Sequence, residues 1–162
     1  MRFSLRRRQV LTLAASATAV VIAGCAAKPL PPTLLKAVLS AQANVNPDAR
    51  NRSSPVTARV YGLKARAAFD NADFFSLYDK DKETLGADLV EKDEFQMKPG
   101  ETRSLDKLLA PEIVYLGVFA AFRDLERAQW RTVVAVAPRQ INTLQILLEQ
   151  SKVTIVTIVK KN

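Results

Sequence analysis

Apolar and polar residues alternate with period two over much of the chain, the pattern of a strand with one face on a core and one in solvent. In residues 34–45 the alternation sharpens in the second half. Leu39, Ala41, Ala43 and Val45 fall on one side, Ser40, Gln42 and Asn44 on the other. Residues 56–63 repeat it, with Val56, Ala58 and Val60 opposing Thr57, Arg59 and Tyr61. Between them lies a polar stretch, residues 46–54, rich in turn formers. Further strand-like segments fall at about 88–95, 102–108, 113–122, 131–137, 143–149 and 152–160. Pro99-Gly100 predicts a turn, and the short Gln150-Ser151 link predicts a hairpin. Segment 113–122 is apolar on both faces, which predicts a central strand of a two-layer structure. Eight short strands separated by turns indicate a mainly β fold, a two-sheet β-sandwich spanning residues 34–162 as one domain.

The period changes over residues 65–86, between the second and third strands. Good helix formers surround Phe69, Phe74, Leu77, Tyr78 and Leu85. Asp70 or Asn71 suits a helix start, Asp73 favours its first turn, and Gly86 suits a stop after a second short helix at 81–85. This small helical insertion is expected to pack its aromatic residues onto a sheet.

The chain begins differently. A basic head, Arg6-Arg7-Arg8, precedes a 14-residue apolar run at 10–23 and then Ile22-Ala23-Gly24-Cys25. The run is short for a permanent membrane span and fits a signal peptide. Arg7-Arg8-Gln9-Val10-Leu11 fits a twin-arginine leader as well as a general export signal. An aliphatic residue, two small residues and a cysteine resemble a bacterial lipobox, in which the Cys receives a diacylglyceryl group, the leader is cut before it, and the new amino group is acylated. Cys25 is the only cysteine. Residues 1–24 are thus expected to be a leader, Cys25 the lipid attachment, and residues 25–33 a proline-rich tether. Ala26 occupies the place where an Asp often directs inner-membrane retention, which favours the outer membrane.

Charge and composition narrow the function. The net charge is +8, but four arginines within residues 1–24, unaccompanied by any acid, supply half of it. The remainder is too mildly basic and too dispersed for nucleic-acid binding. Without histidine and with one cysteine, His-based acid–base catalysis, Cys–His pairs, His-ligated zinc and internal disulfides are excluded. Five scattered glycines build no phosphate loop. Asp79-Lys80-Asp81-Lys82-Glu83 opens like a calcium loop, but Thr84-Leu85-Gly86 does not continue it. A solvated helix face is the simpler reading of those acids. Ser53-Ser54 lacks a visible base, and nothing singles out a carboxylate pair. Trp130 beside Arg131 would suit a sugar platform but equally a core edge. These residues predict no enzyme, no metal, no cofactor beyond the acyl groups, and no small-molecule substrate. They leave a docking module.

Several segments carry a resemblance along most of residues 36–160. They include Asn44-Val45-Asn46-Pro47-Asp48, Ser54-Pro55-Val56-Thr57-Ala58-Arg59-Val60-Tyr61-Gly62-Leu63-Lys64, Ala72-Asp73-Phe74-Phe75-Ser76-Leu77-Tyr78, Lys98-Pro99-Gly100-Glu101, Tyr115-Leu116-Gly117-Val118, Ala121-Phe122-Arg123-Asp124 and Ala128-Gln129-Trp130-Arg131. Together they resemble the outer-membrane lipoprotein of the type VI secretion system, the TssJ family (also SciN or VasD). The resemblance implies a transthyretin-like sandwich anchored by lipid to the periplasmic face of the outer membrane. It also implies a partner, the periplasmic C-terminal region of TssM, and through it TssL. The loop between the first two strands carries much of that contact in the family, which points here to Asn46, Pro47, Asp48, Arg50, Asn51, Arg52 and Ser53. Asn51 and Ser53 stand where the family would more often have Gly and Pro. Arg50 and Arg52 suit bidentate bonds to a partner's carboxylates. The alternative reading is a periplasmic lipoprotein that binds or inhibits a cell-wall enzyme or glycan.

Overall fold

A computed structural model describes residues 29–158; Cys25, the predicted leader and Lys160-Lys161 lie outside the described residues. The chain forms eight strands: β1 (Leu34–Ala41), β2 (Val56–Leu63), β3 (Leu89–Met97), β4 (Thr102–Leu108), β5 (Tyr115–Ala121), β6 (Arg131–Ala135), β7 (Ile141–Leu148) and β8 (Val153–Thr157). Between β2 and β3 come α1 (Ala67–Asn71), α2 (Phe74–Leu85) and a single 3₁₀ turn, Gly86–Asp88. The strands pair as two four-stranded sheets, β4-β1-β7-β8 and β3-β2-β5-β6. All pairings are antiparallel except that β1 runs parallel to β7. This is the two-sheet sandwich with a helical insertion that the alternation predicts.

Two hydrophobic cores hold it together. Between the sheets lie Leu35, Ala37 and Leu39 of β1, Val56, Ala58 and Val60 of β2, Val118 of β5, and Leu144, Ile146 and Leu148 of β7. The opposite face of β2 and β5 presents Tyr61, Leu63 and Phe119, which pack against Phe69, Leu77 and Leu85 of the insertion. The architecture is therefore three layers, sheet on sheet on helices. β5 is apolar on both faces because each face meets a different layer. Gly117 of β5 sits under α1. A Cβ there would lie 3.0 Å from Phe69 Cζ and 3.1 Å from Leu63 Cδ1, so the ring reaches the sheet only over a glycine.

The insertion follows its punctuation. Asp73 caps α2 by accepting a bond from the Ser76 N–H at 2.9 Å, one step outside the first turn where its charge was expected. The helix kinks at Lys80 (φ −135°, ψ 37°), which separates the short segment predicted at 81–85. Gly86 ends it at φ 51°.

β1 ends four residues earlier than its predicted strand. Ala43 is exposed rather than core-facing, because Gln42 turns the chain: its N–H donates to Leu148 O at 2.9 Å while its carbonyl accepts from Val45 at 3.1 Å. β1 thus spans the sandwich from pole to pole. At its start Thr33 is pinned, its carbonyl accepting from Leu109 N–H at 2.9 Å and its hydroxyl from Arg139 N–H at 2.8 Å. At its far end begins the loop to β2. Eight residues of strand put the poles about 25 Å apart.

Candidate docking loop

Residues 42–55 join β1 to β2, crossing from one sheet to the other, and the loop is held by two side chains of its own. Asn46, only 3% exposed, sits at φ 48°, a conformation Asn tolerates better than most residues. Its Nδ2 donates to Pro55 O at 2.7 Å, and its Oδ1 accepts from the Arg123 N–H at 2.8 Å. Its own N–H donates to Gln150 O at 2.9 Å. One residue therefore ties the loop to its own exit, to the β5–β6 connection and to the β7–β8 turn.

Asp48 organises the tip. Its Oδ1 accepts from the N–H groups of Arg50 at 2.8 Å and Arg52 at 2.9 Å. Its Oδ2 accepts from Arg52 Nε at 2.8 Å and lies 2.7 Å from Arg52 Nη2. The Arg52 backbone bond first, then the Arg52 side chain, holds the Asp48 carboxyl below its ordinary range despite partial desolvation. Between them Asn51 adopts φ 57°, its N–H donating to Asp48 O at 2.9 Å. The turn needs a left-handed residue at this place, and Asn supplies it.

The seven predicted contact residues divide accordingly. Arg50, Asn51, Arg52 and Ser53 are exposed, and Pro47 and Asp48 are half-buried. Asn46 turns inward, so its side chain serves the loop's shape rather than a surface. Arg52 is not the free fork the sequence suggests, because Nε and one Nη already face Asp48. Arg50, with no ion pair among the described residues, presents its guanidinium outward. The loop also forms one wall of a cavity of about 610 Å³ whose other wall includes Arg123, Asp124, Arg127, Gln150 and Ser151. Arg123 and Arg127 were not foreseen as neighbours of the loop; only the topology brings the β5–β6 connection beside it.

A second polar cluster lies away from the loop. Asp81 is buried rather than part of a solvated helix face. Its Oδ2 accepts from Lys92 Nζ at 2.8 Å and Tyr61 Oη at 3.1 Å, with Arg59 Nη1 at 3.5 Å. Arg59 also donates to Glu94 Oε2 at 2.6 Å and to the Leu77 and Tyr78 carbonyls at 3.0 and 2.9 Å. Burial alone would raise the Asp81 pKa, but Lys92, Tyr61 and Arg59 outweigh it and hold it below the ordinary 3.8. Burial pushes the Tyr61 phenol up. These bonds pin α2 to β2 and β3. Trp130 is likewise structural: its ring meets Phe74 and Phe119 edge-on, and the Arg131 guanidinium lies 4.6 Å from its centre. Among the described residues, no three His, Cys, Asp or Glu side chains gather where a metal ion could sit. No described helix is long and apolar enough to cross a membrane.

The family described as type VI secretion lipoprotein, VasD, EvfM, TssJ, VC_A0113, matches residues 33–151. The chain belongs to this family. Among solved structures it is similar to the type VI secretion lipoprotein TssJ1 of Pseudomonas aeruginosa, with 41% identity and a TM-score of 0.78 over 81% of this chain and all of that one. It is also similar to Lip of Serratia marcescens, a membrane-bound component of the type VI secretion system, at 28% identity and TM-score 0.71 over 77% of this chain and 98% of that one. A chain in a type VI membrane complex matches at 25% identity and TM-score 0.68, over 77% of this chain and 98% of that one. No curated protein matches. The TssJ-family sandwich with helices between its second and third strands is thus this chain's fold as well, and its β1–β2 loop is the candidate site.

Proposed function

We propose that this protein is a non-enzymatic tether of the type VI secretion membrane complex. Residues 1–24 are a leader, and the mature chain begins at Cys25, whose diacylglyceryl and N-acyl groups hold it to the periplasmic face of the outer membrane. Three acyl chains at about 0.8 kcal/mol per buried methylene make release negligible. The β1–β2 loop docks the periplasmic C-terminal region of TssM, which links the sandwich to TssL. The observation that carries this reading is positional. The tether enters at one end of β1 and the loop leaves at the other, so a lipid anchor and a partner can be held at opposite poles. The loop's internal bonds through Asn46 and Asp48 support it, because a surface already ordered loses less entropy on binding. Likeness to a chain of a type VI membrane complex agrees.

Metabolic labelling with a fatty acid tests the anchor: label is expected in the wild-type protein and absent from Cys25→Ser, and equal label in both would discard it. Titration against the TssM periplasmic region tests the loop. Arg50→Glu combined with Arg52→Glu is expected to weaken binding about tenfold or more, as charge reversal within an interface does. Unchanged affinity would move the docking surface elsewhere.

A further inference from the structure

The helical insertion covers only the sheet β3-β2-β5-β6. The outer face of β4-β1-β7-β8 has no such cover, and it is graded. Register places Leu108, Leu34 and Ile141 side by side in the row nearest the tether. The next row carries Asp106, Lys36 and Thr143, with Ile158 beside Thr143. Val38 and Val156 flank Gln145 in the third, and the fourth, nearest the docking loop, is Thr102, Ser40, Leu147 and Thr154. Among the exposed large apolar side chains of this face, exposure falls along the same direction, Leu108 61%, Ile141 58%, Ile158 47%, Val156 41%, Val38 39%, while Leu34 is half-buried between Leu108 and Ile141. Two more exposed apolar residues lie at the tether pole: Leu30, just before β1, and Val114, whose N–H donates to Leu63 O at the end of β2. The loop pole is the reverse, set with Asp48, Arg50, Arg52, Arg123, Asp124 and Arg127. The tether pole mixes its apolar side chains with exposed Lys64, Glu112 and Arg139 at its rim.

We propose that the tether pole is a membrane-facing surface, with Leu30, Leu34, Leu108, Ile141 and Ile158 bedded in the headgroup region of the bilayer. The inference rests on acylation at Cys25, because the anchor is what brings a bilayer to this pole. Cys25 stands eight residues before Thr33, so the tether spans at most about 28 Å even fully extended, and Thr33 is fixed to the pole by Leu109 and Arg139. The most exposed apolar residues therefore border the point where the tether leaves the domain, within its reach of the lipid. A contiguous apolar patch rimmed by polar groups marks an interaction surface, and interfacial seating needs burial of only about 5–10 Å. Lys36 lies opposite Asp106 in the register, so the row above the apolar one carries one charge of each sign. The consequence of this seating is orientation: the domain stands with β1 steeply inclined to the bilayer and the docking loop aimed away from it.

The test uses the mature lipidated protein in vesicles of phosphatidylethanolamine and phosphatidylglycerol. Ile141→Cys and Leu108→Cys are labelled with an environment-sensitive fluorophore, with Arg50→Cys as the loop-pole control and phospholipids carrying a quencher on the upper acyl chain. Label at 141 and 108 is expected to be quenched at least about threefold more than label at 50, as seating at that depth requires. Equal quenching at the two poles would overturn the inference, as would concentration-dependent disulfide pairing of Ile141→Cys copies in place of lipid quenching, which would assign the face to a second copy. Flotation of the unlabelled protein separates the two readings. Failure to float removes the anchor, whereas flotation with equal quenching removes only the seated pole.

Discussion

Replacing Asn46 by Ala removes two bonds in one step and strains the chain. The Nδ2 bond to Pro55 O at 2.7 Å and the Oδ1 bond from Arg123 N–H at 2.8 Å are both lost, leaving a carbonyl and an amide without partners around a side chain only 3% exposed. Each such bond is worth about 1 kcal/mol net. Ala at φ 48° adds about 1 kcal/mol, since its Cβ crowds the following carbonyl in the left-handed region. The expected destabilisation is about 3 kcal/mol. Asn46→Gly loses the bonds without the steric conflict and is expected to cost about 2 kcal/mol. Urea unfolding followed by circular dichroism measures both. With a slope of roughly 2 kcal/mol per molar, the midpoints fall by about 1.5 M and 1 M. Asn44→Ala, exposed in the same turn, is the control and is expected to stay within about 0.5 kcal/mol of wild type. If Asn46→Ala also stayed within that margin, Asn46 would not be what holds the loop, and the case for a preordered docking surface would fall with it.

The other expectations concern the second core and its ion cluster. Gly117→Ala brings a Cβ to 3.0 Å from Phe69, a fully buried ring with nowhere to go, and is expected to cost about 1–3 kcal/mol; calorimetry should show a melting temperature lower by several degrees, and an unchanged one would mean α1 shifts freely. Asp81 has its pKa depressed in the fold, so its contribution is complete above about pH 3.8 and is lost as pH falls through the lower folded value. Asp81→Asn should therefore reduce the urea midpoint more at pH 7 than at pH 3, and parallel pH dependence in both proteins would contradict the ion-pair account. Arg131→Lys loses the planar fork that donates to the Phe69 carbonyl at 2.9 Å and stacks on Trp130; altered Trp130 fluorescence with a drop of about 1 kcal/mol is the expected signature.

What could be read from the sequence was what depends on local periodicity. β4 matches its predicted bounds because turn signals stand on both sides of it, Pro99-Gly100 before and Ala110-Pro111 after. The end of β1 was missed because Ala43 is small enough to continue the pattern in either setting, and the turn at Gln42 is made by Leu148 and Val45, whose roles only the tertiary structure defines. Asp81 looked solvated because its neighbours Asp79, Lys80, Lys82 and Glu83 are. The signal that could have found it was on β2, where Arg59 and Tyr61 share a face with the wholly apolar Leu63. Such a face needs a covering layer, and the polar ends of Arg59 and Tyr61 beneath it call for partners in that layer. The β1–β2 loop was legible as a loop, but the departure from Gly at Asn51 left its shape open. The inward turn of Asn46 and the closure of Asp48 on Arg52 were not, because both depend on backbone groups far away in sequence or on a fold within the loop itself.

The place of β1 has a mechanical consequence. It is an inner strand, hydrogen-bonded along its length to β4 on one side and β7 on the other. A pull applied between Thr33 and the far end of the strand acts along its axis, so both ladders are loaded in shear and must rupture together rather than unzip one bond at a time. The same eight residues that separate the two poles carry a load between them along two paired ladders.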